Sequence, residues 1–243
     1  MKNRVDSAVS LSLVLVAVTL FSSFSVCAET RSIGSVPVSP SAEPDKWAYK
    51  FLGAETTSEG GRGVCAEISV SDPSVPHGLD GRDFFYAWIM VYSSDRARWI
   101  QVGWSDVGWE SDVRCVTEYD TEHNAWRFFD RYPLVVGHSY SFEICAEGNG
   151  SWASWIWWNN RWDLLIEAQI GLRSAERVGE FCEVCTSTND WFNVSTTTFR
   201  STCLLTDSGW NLWTIQQPAT LYDFNYPYVV NWSTQYCDWS MSS

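Results

Sequence analysis

The 243-residue sequence lacks the features of several common protein classes. No stretch keeps a helical period of apolar residues over several turns, which argues against a helix bundle. Beyond residue 28 no apolar run is long enough to cross a bilayer. Basic residues are scarce, with 16 Lys and Arg against 29 Asp and Glu, and the formal net charge of −13 repels phosphate backbones. Nucleic acid is therefore excluded as a main partner.

Two common catalytic arrangements are also missing. No serine stands in a Gly-x-Ser-x-Gly motif, so the sequence has no nucleophile elbow. The histidines His77, His123 and His138 lack His-x-x-x-His or any other ligand spacing. We therefore expect no metal site and no cofactor.

The N-terminal residues 1–28 are typical of an export signal. Lys2 and Arg4 precede an apolar stretch at 8–24, and Ala28 is a small residue before the expected cleavage. We therefore expect a secreted, extracellular protein with no membrane attachment once the signal is removed.

The cysteine content is typical of a secreted protein. Of 8 cysteines, Cys27 would leave with the signal, and those that remain should mostly form disulfides in an oxidising compartment. One candidate bridge joins Cys65 to Cys237 and would tie the first strand to the last. The pair Cys182-x-x-Cys185 could instead be half of a zinc site, but export argues against it.

The remaining sequence divides into a tail and one domain. Residues 29–46 are rich in Ser, Pro, Glu and Gly and predict a flexible N-terminal tail. Across 47–243, short aromatic and β-branched runs alternate with Gly, Asn, Asp and Pro, which is typical of strands and turns. Strands are predicted at 64–70, 84–92, 99–104, 113–119, 125–129, 139–146, 151–158, 161–168, 178–185, 196–205 and 210–215. This spacing favours a single all-β sandwich or jelly roll.

Aromatic residues dominate the predicted strands, with 16 Trp, 10 Tyr and 12 Phe. Alternation along 151–158 places Trp152 and Trp158 on one face and Trp155 and Trp157 on the other. One of these faces should pack in the core. The turn between this strand and the next should be a tight hairpin, because Asn159-Asn160 tolerates positive φ at both positions.

One polar residue stands out inside a predicted strand. In the run 99–104, Trp99, Gln101 and Gly103 share a face opposite three apolar residues, and Gly103 leaves room for a substrate. Glu180, opposite Phe181 in a later strand, can face the same groove. A side-chain amide can stabilise an oxyanion while a carboxylate deprotonates water, so Gln101 and Glu180 are candidate catalytic residues for amide hydrolysis.

Several short motifs occur in an order that resembles the glutamic peptidases, which comprise the eqolisins and the neprosin-like proteins. The resemblance covers roughly residues 84–185 and rests on four segments. They are Phe85-Tyr86-Ala87-Trp88-Ile89, Trp99-Ile100-Gln101-Val102-Gly103-Trp104, Arg131-Tyr132-Pro133 with Val136-Gly137-His138-Ser139-Tyr140, and Ala175-Glu176-Arg177-Val178-Gly179-Glu180. It implies a concanavalin-like jelly-roll β-sandwich of two antiparallel sheets, here stapled by disulfides.

The resemblance also implies a function. In eqolisins a Gln in a Gln-x-Gly strand pairs with a Glu on a neighbouring strand, and here Gln101 and Glu180 match these positions, with Glu176 and Glu183 as alternatives for the acid. The implied activity is that of a secreted glutamic-type endopeptidase. It should favour acid pH, because an ordinary Glu titrates near ~4.3.

Four residues are expected to contact the substrate: Trp88, Trp99, Gly103 and Glu118. For Glu118, and for its neighbour Asp120, a solvated strand end is the competing interpretation. Two other functions stay open on the same fold. A carbohydrate-binding module would use groove tryptophans without chemistry, and a structural extracellular protein would have a filled groove. We expect a monomer that acts on a peptide or a polysaccharide.

Overall fold

The computed structural model describes residues 31–32, 48–56, 60–76, 83–109, 114–187 and 190–243. The predicted signal at 1–28 lies outside these residues. So does the predicted tail at 29–46, apart from Arg31 and Ser32, which pair with a strand of the main domain.

The described residues form β-strands and no helix, and they hold no helical segment able to cross a membrane. The strands are β1 (Arg31–Ser32), β2 (Ala48–Thr56), β3 (Gly63–Ser69), β4 (Phe84–Tyr92), β5 (Trp99–Val107), β6 (Cys115–Asp120), β7 (Ala125–Phe129), β8 (Ser139–Gly148), β9 (Ser151–Trp158), β10 (Arg161–Ala168), β11 (Arg177–Thr186), β12 (Thr197–Thr206), β13 (Gly209–Leu212), β14 (Ala219–Tyr222), β15 (Phe224–Asn225), β16 (Tyr228–Thr234) and β17 (Asp238–Ser242).

Two antiparallel sheets contain these strands. The front sheet has the order β1-β7-β6-β5-β4-β11-β2-β14, and the back sheet has the order β10-β9-β8-β3-β12-β17-β16-β15, with β13 paired to β12. The prediction of an all-β sandwich of two antiparallel sheets is confirmed.

The main core lies between the inner faces of the two sheets. Strand β4 shows how the sequence builds it, because Phe85, Ala87 and Ile89 alternate with residues of the opposite face and are fully buried. Burial of apolar surface at about 25 cal/mol per Å² makes this layer the principal stabilising term of the fold.

A second apolar cluster covers the outer face of the front sheet. Phe84, Tyr86, Trp88 and Phe181 belong to it, and each is 8% exposed or less. Strands β4 and β11 are therefore apolar on both faces, unlike a strand with one solvated face. This outer layer of rings forms the floor of the candidate site.

Most predicted strands are confirmed, including the hairpin between β9 and β10. Asn159 and Asn160 have φ values of 49° and 65°, as the tight turn requires. Trp152 is fully buried and Trp157 is 41% exposed, so the two faces of β9 are as predicted. Strands β1 and β2 and the C-terminal strands β14 to β17 were not predicted.

The expected disulfide staples are wrong for the part of the chain that the structure describes, where no two cysteines form a disulfide with each other. The pairing of Cys65 with Cys237 is wrong, because Cys65 on β3 lies opposite Cys203 on β12, and Cys237 precedes β17 beyond that strand. Cys182 is in the inner core and Cys185 in the outer cluster, so the two cannot bind one metal ion.

Candidate active site

Strand β5 presents Gln101 on the outer face of the front sheet. Its neighbours Ile100 and Val102 are fully buried in the inner core, so strict alternation turns the amide outward. Gln101 is 7% exposed and lines a cavity of about 490 Å³. The prediction that this side chain faces a groove is supported by its position.

Aromatic rings form most of the cavity wall. The lining residues are Phe51, Glu55, Trp88, Met90, Tyr92, Arg96, Trp99, Gln101, Tyr119, Asn124, Trp126, Phe181, Glu183 and Tyr222. Trp99 and Tyr119 stack with ring centroids 5.5 Å apart, beside Gln101. A concave site with apolar walls and a few polar groups is typical of a binding site for a small molecule or a peptide segment.

Glu180 does not face this cavity. It lies on the same face of β11 as Val178 and Cys182 of the inner core, and it is fully buried between the sheets. Thr202 of the back sheet donates a hydrogen bond of 2.6 Å to its Oε2. Burial raises the pKa of Glu180 to about 8, against the opposing effect of the Thr202 hydrogen bond. The expectation that Gln101 and Glu180 share a groove is therefore wrong.

Strand register shows which residues do lie level with Gln101. Gln101 pairs with Met90 on β4, Met90 pairs with Gly179 on β11, and Gly179 pairs with Glu55 on β2. The outward-facing position before Glu180 is thus occupied by Gly179, which has no side chain to offer. The nearest carboxylate on that level belongs to Glu55, three strand spacings or about 14 Å away between Cα atoms.

The Glu55 carboxylate is held by three donors. Tyr222 donates a hydrogen bond of 3.0 Å to Oε1, and the Tyr92 hydroxyl donates to Oε2. Arg96 Nη2 also lies 3.2 Å from Oε2. A carboxylate accepts up to about four hydrogen bonds, so Glu55 keeps acceptor capacity for a ligand in the cavity.

Glu183 is a second carboxyl group of the cavity wall. It pairs with Tyr86, four residues along β4 from Met90, and so lies toward the far end of the cavity from Gln101. Burial raises the pKa of Glu183 to about 8, and an interaction with the Trp88 indole partly opposes the shift. Sequence analysis had kept Glu183 only as an alternative to Glu180.

Glu176, the other alternative acid, lies before β11 and is not part of the cavity wall. Its Oε2 accepts hydrogen bonds from the Ser94 hydroxyl at 2.7 Å and the Ser94 N–H at 2.8 Å. These hydrogen bonds lower the pKa of Glu176. The residue therefore anchors the loop that follows β4.

Trp88 and Trp99 line the cavity as expected, but Gly103 and Glu118 do not. A Cβ atom on Gly103 would lie 1.9 Å from the carbonyl oxygen of Ala87, so the glycine is required by the approach of β4. The interpretation that it leaves room for substrate is corrected accordingly.

Glu118 belongs to a buried charge network on the other face of the sheet. Arg127 Nη1 lies 2.6 Å from Glu118 Oε2 and 2.6 Å from Asp120 Oδ2. Asp120 also contacts the His123 ring at 2.9 Å. Glu118 is fully buried. Both interpretations of this residue, as a substrate contact in the groove and as part of a solvated strand end, are therefore wrong.

Sequence analysis missed Glu55 and its partners Arg96 and Tyr222. The signal for Glu55 was present, because Phe51, Gly53 and Glu55 alternate with the apolar residues Leu52 and Ala54. That alternation identifies β2 as a strand with Glu55 on its outer face, although it gives no pairing partner.

The sandwich of front and back sheets has the fold of the glutamic peptidases. Scytalido-glutamic peptidase, solved with a peptide-based transition state analog, superposes with a TM-score of 0.60 at 12% identity, covering 81% of this chain and 98% of that one. The concanavalin-like class inferred from the sequence is confirmed.

A second solved structure gives the same result. SCP-B, a member of the eqolisin family of peptidases in complex with the tripeptide Ala-Ile-His, superposes with a TM-score of 0.57 at 13% identity, covering 81% of this chain and 98% of that one. No protein-family model and no curated protein sequence matches the chain. At such low identity the structural likeness establishes the fold alone.

Proposed function

We propose that the protein is a glutamic-type endopeptidase in which Gln101 acts with Glu55. The observation that carries the proposal is that both side chains line one cavity on one level of the front sheet. Both side chains project from the outer face of the sheet, about 14 Å apart between Cα atoms, so a water molecule and a peptide carbonyl can lie between them.

The chemistry follows from these two groups. Ionised Glu55 takes a proton from water as the oxygen attacks the scissile carbonyl carbon. The Gln101 amide N–H donates to the oxyanion that develops on the carbonyl oxygen. Protonated Glu55 then gives its proton to the leaving nitrogen as the C–N bond breaks, which regenerates the carboxylate and yields a free acid and a free amine.

Tyr92, Tyr222 and Arg96 are positioning residues in this scheme. Their contacts to Glu55 fix the carboxylate orientation before substrate binds, so little reorganisation is needed during reaction. The likeness in fold to peptidases solved with a transition state analog and with a tripeptide supports a peptide as the substrate.

We also propose secretion and activity at acid pH. Residues 1–28 have the pattern of an export signal. Glu180, which lies between the sheets, has a pKa of about 8 caused by burial, so it is neutral in acid and leaves no uncompensated charge in the core. An extracellular acidic setting suits such a protein.

Hydrolysis of denatured casein from about pH 3 to about pH 7 tests the proposal. We expect wild-type protein to release peptides, and Gln101→Ala and Glu55→Gln to lower the rate by roughly 100-fold or more. Glu67→Gln on β3 of the back sheet serves as the control and should retain activity. Equal background release by all four proteins would overturn the proposal.

Carbohydrate binding is a second candidate, favoured by one observation. The stacked rings of Trp99 and Tyr119 form a flat aromatic surface in the cavity, and such surfaces also bind sugar rings. A glycan array separates the two functions. Glycan binding that is lost in Trp99→Ala, without casein hydrolysis by the wild type, would favour the carbohydrate-binding function.

A further inference from the structure

Glu183 is a buried acid with no cation to balance it. It is 8% exposed and lines the cavity. Among the described residues, no Lys, Arg or His forms an ion pair with Glu183. A carboxyl group in such a place loses hydration without gaining a counter-ion, which is a cost that folding alone does not explain.

Three other acids of the front sheet have a cationic partner, whereas Glu180, which has none, is buried between the sheets and does not line the cavity. Glu118 and Asp120 share Arg127, and Glu55 has Arg96. Arg96 is the one cationic residue in the described cavity wall, and it already contacts Glu55 at 3.2 Å. Glu183 is therefore the acid of the cavity that is open to an external cation.

Aromatic rings surround the Glu183 position. Glu183 pairs with Phe51 on β2 and with Tyr86 on β4, and Phe181 precedes it on the same face. Trp88 and Phe181 pack with centroids 5.0 Å apart, and Phe51 meets Phe181 edge-on at 6.4 Å. Ring faces carry a negative quadrupole and attract cations, most strongly where water is excluded.

We propose that this end of the cavity binds the cationic side chain of a Lys or Arg residue in a peptide substrate, with Glu183 as the counter-ion and Trp88, Phe181 and Phe51 as the surrounding rings. The inference rests on the proposed function and adds its substrate class. The long apolar stem of either side chain would lie along the rings while its charged group reaches the carboxylate.

The site has the size that such a ligand needs. The cavity of about 490 Å³ lies within the usual range of roughly 300–1,000 Å³ for ligand sites. Gln101 and Glu55 lie on one level, and Glu183 lies four residues along the sheet from it. A peptide whose carbonyl reaches Gln101 can therefore extend a neighbouring side chain to Glu183.

The test is a calorimetric titration of Glu55→Gln protein at about pH 8, where Glu183, with its pKa of about 8, is about half ionised and a lysine side chain is charged. The Glu55→Gln change leaves peptides intact if the proposed function holds. The probes are acetyl-Ala-Lys-Ala-amide and acetyl-Ala-norleucine-Ala-amide, which differ in the ammonium group. We expect the lysine peptide to bind about tenfold more tightly, because both the carboxylate and the rings favour the cation.

Variants assign the preference to the carboxyl group. Adding Glu183→Gln should bring the two affinities to within about twofold, while adding Glu67→Gln should leave the tenfold ratio unchanged. Thermal unfolding confirms that each variant is folded. Equal affinities in the Glu55→Gln protein, or no measurable binding of either peptide, would overturn the inference.

The two proposals fail separately. Binding is measured without hydrolysis, so a wild-type protein that does not cleave casein refutes the peptidase function while the lysine preference can still be read. Conversely, casein hydrolysis with equal binding of both peptides refutes the basic side-chain site alone.

Discussion

Thr202 on the back sheet donates a hydrogen bond of 2.6 Å to the carboxyl group of Glu180 on the front sheet. The contact links the two sheets through the buried layer between them. Glu180 Oε1 has no hydrogen-bond partner among the described residues. A buried carboxyl group in this setting favours its neutral form, and this preference makes the stability of the fold depend on pH.

Glu180 should stabilise the fold in acid and destabilise it toward alkaline pH. The pKa of an ordinary Glu is a little over 4, and burial raises that of Glu180 to about 8. The folded state thus holds the proton more tightly than the unfolded chain, so this contribution is complete below about pH 4.5 and is lost as the pH rises to about 8. At about 1.4 kcal/mol per pH unit, the upper bound is about 5 kcal/mol.

The Glu180→Gln variant measures this contribution. Urea unfolding at about pH 5 and about pH 8 should show a smaller loss of stability in the variant than in wild type. Glu183 titrates in the same direction in both proteins and so cancels in the comparison. Parallel stability curves for the two proteins would contradict the buried position of Glu180.

Gly103→Ala should destabilise the fold by about 2–4 kcal/mol. The added Cβ would lie 1.9 Å from the Ala87 carbonyl oxygen, so β4 and β5 could not keep their present spacing. Chemical denaturation measures the loss, with Ser141→Ala on β8 as a control that should change stability little. A Gly103→Ala protein of normal stability but weakened substrate binding would instead restore the view that Gly103 makes room for substrate.

Arg127→Met should cost about 3–5 kcal/mol, because it leaves Glu118 buried without a counter-ion and Asp120 with only the His123 ring. Arg161→Met is a suitable comparison, since the Arg161–Asp163 pair is exposed and its loss should cost at most about 1 kcal/mol. Urea unfolding of both variants decides the point. Similar small losses would show that the Arg127 network does not need its cation.

Tyr222→Phe should lower kcat by about tenfold and leave KM nearly unchanged. The change removes the hydrogen bond of 3.0 Å to Glu55 Oε1 and so loosens the orientation of the proposed base, without altering the apolar wall. The control is Tyr226→Phe, since Tyr226 is 74% exposed and is not part of the cavity wall. Equal kcat values for the two variants would remove Tyr222 from the positioning role.

The fold was largely predictable, and so was the orientation of Gln101. In β5 the apolar residues Ile100, Val102 and Trp104 stand on one face only, so the pattern determines which way the amide points. Turn residues such as Asn159-Asn160 also carry their geometry in the local sequence. These features depend on neighbours along the chain.

The orientation of Glu180 was not predictable in the same way. Val178 and Cys182 share its face, while Phe181 and Cys185 occupy the other, and all four are buried. Since the outer face of β11 is covered by aromatic rings, alternation of apolar residues cannot distinguish its two faces.

The role of Glu55 depends on long-range register. Its strand β2 precedes Gln101 in sequence, yet it joins β11 and β14 from much later in the chain. Only the pairing of Gly179 with Glu55 brings that carboxylate level with Gln101. No local pattern in the sequence contains this information.

The most direct test of the account compares two single carboxyl-to-amide changes on one fluorogenic peptide with a lysine beside the scissile bond. Glu55→Gln should lower kcat/KM by roughly 100-fold or more, whereas Glu180→Gln should stay within about threefold of wild type in acid, where the buried residue is already neutral. Full activity in Glu55→Gln together with loss of activity in correctly folded Glu180→Gln would contradict the account.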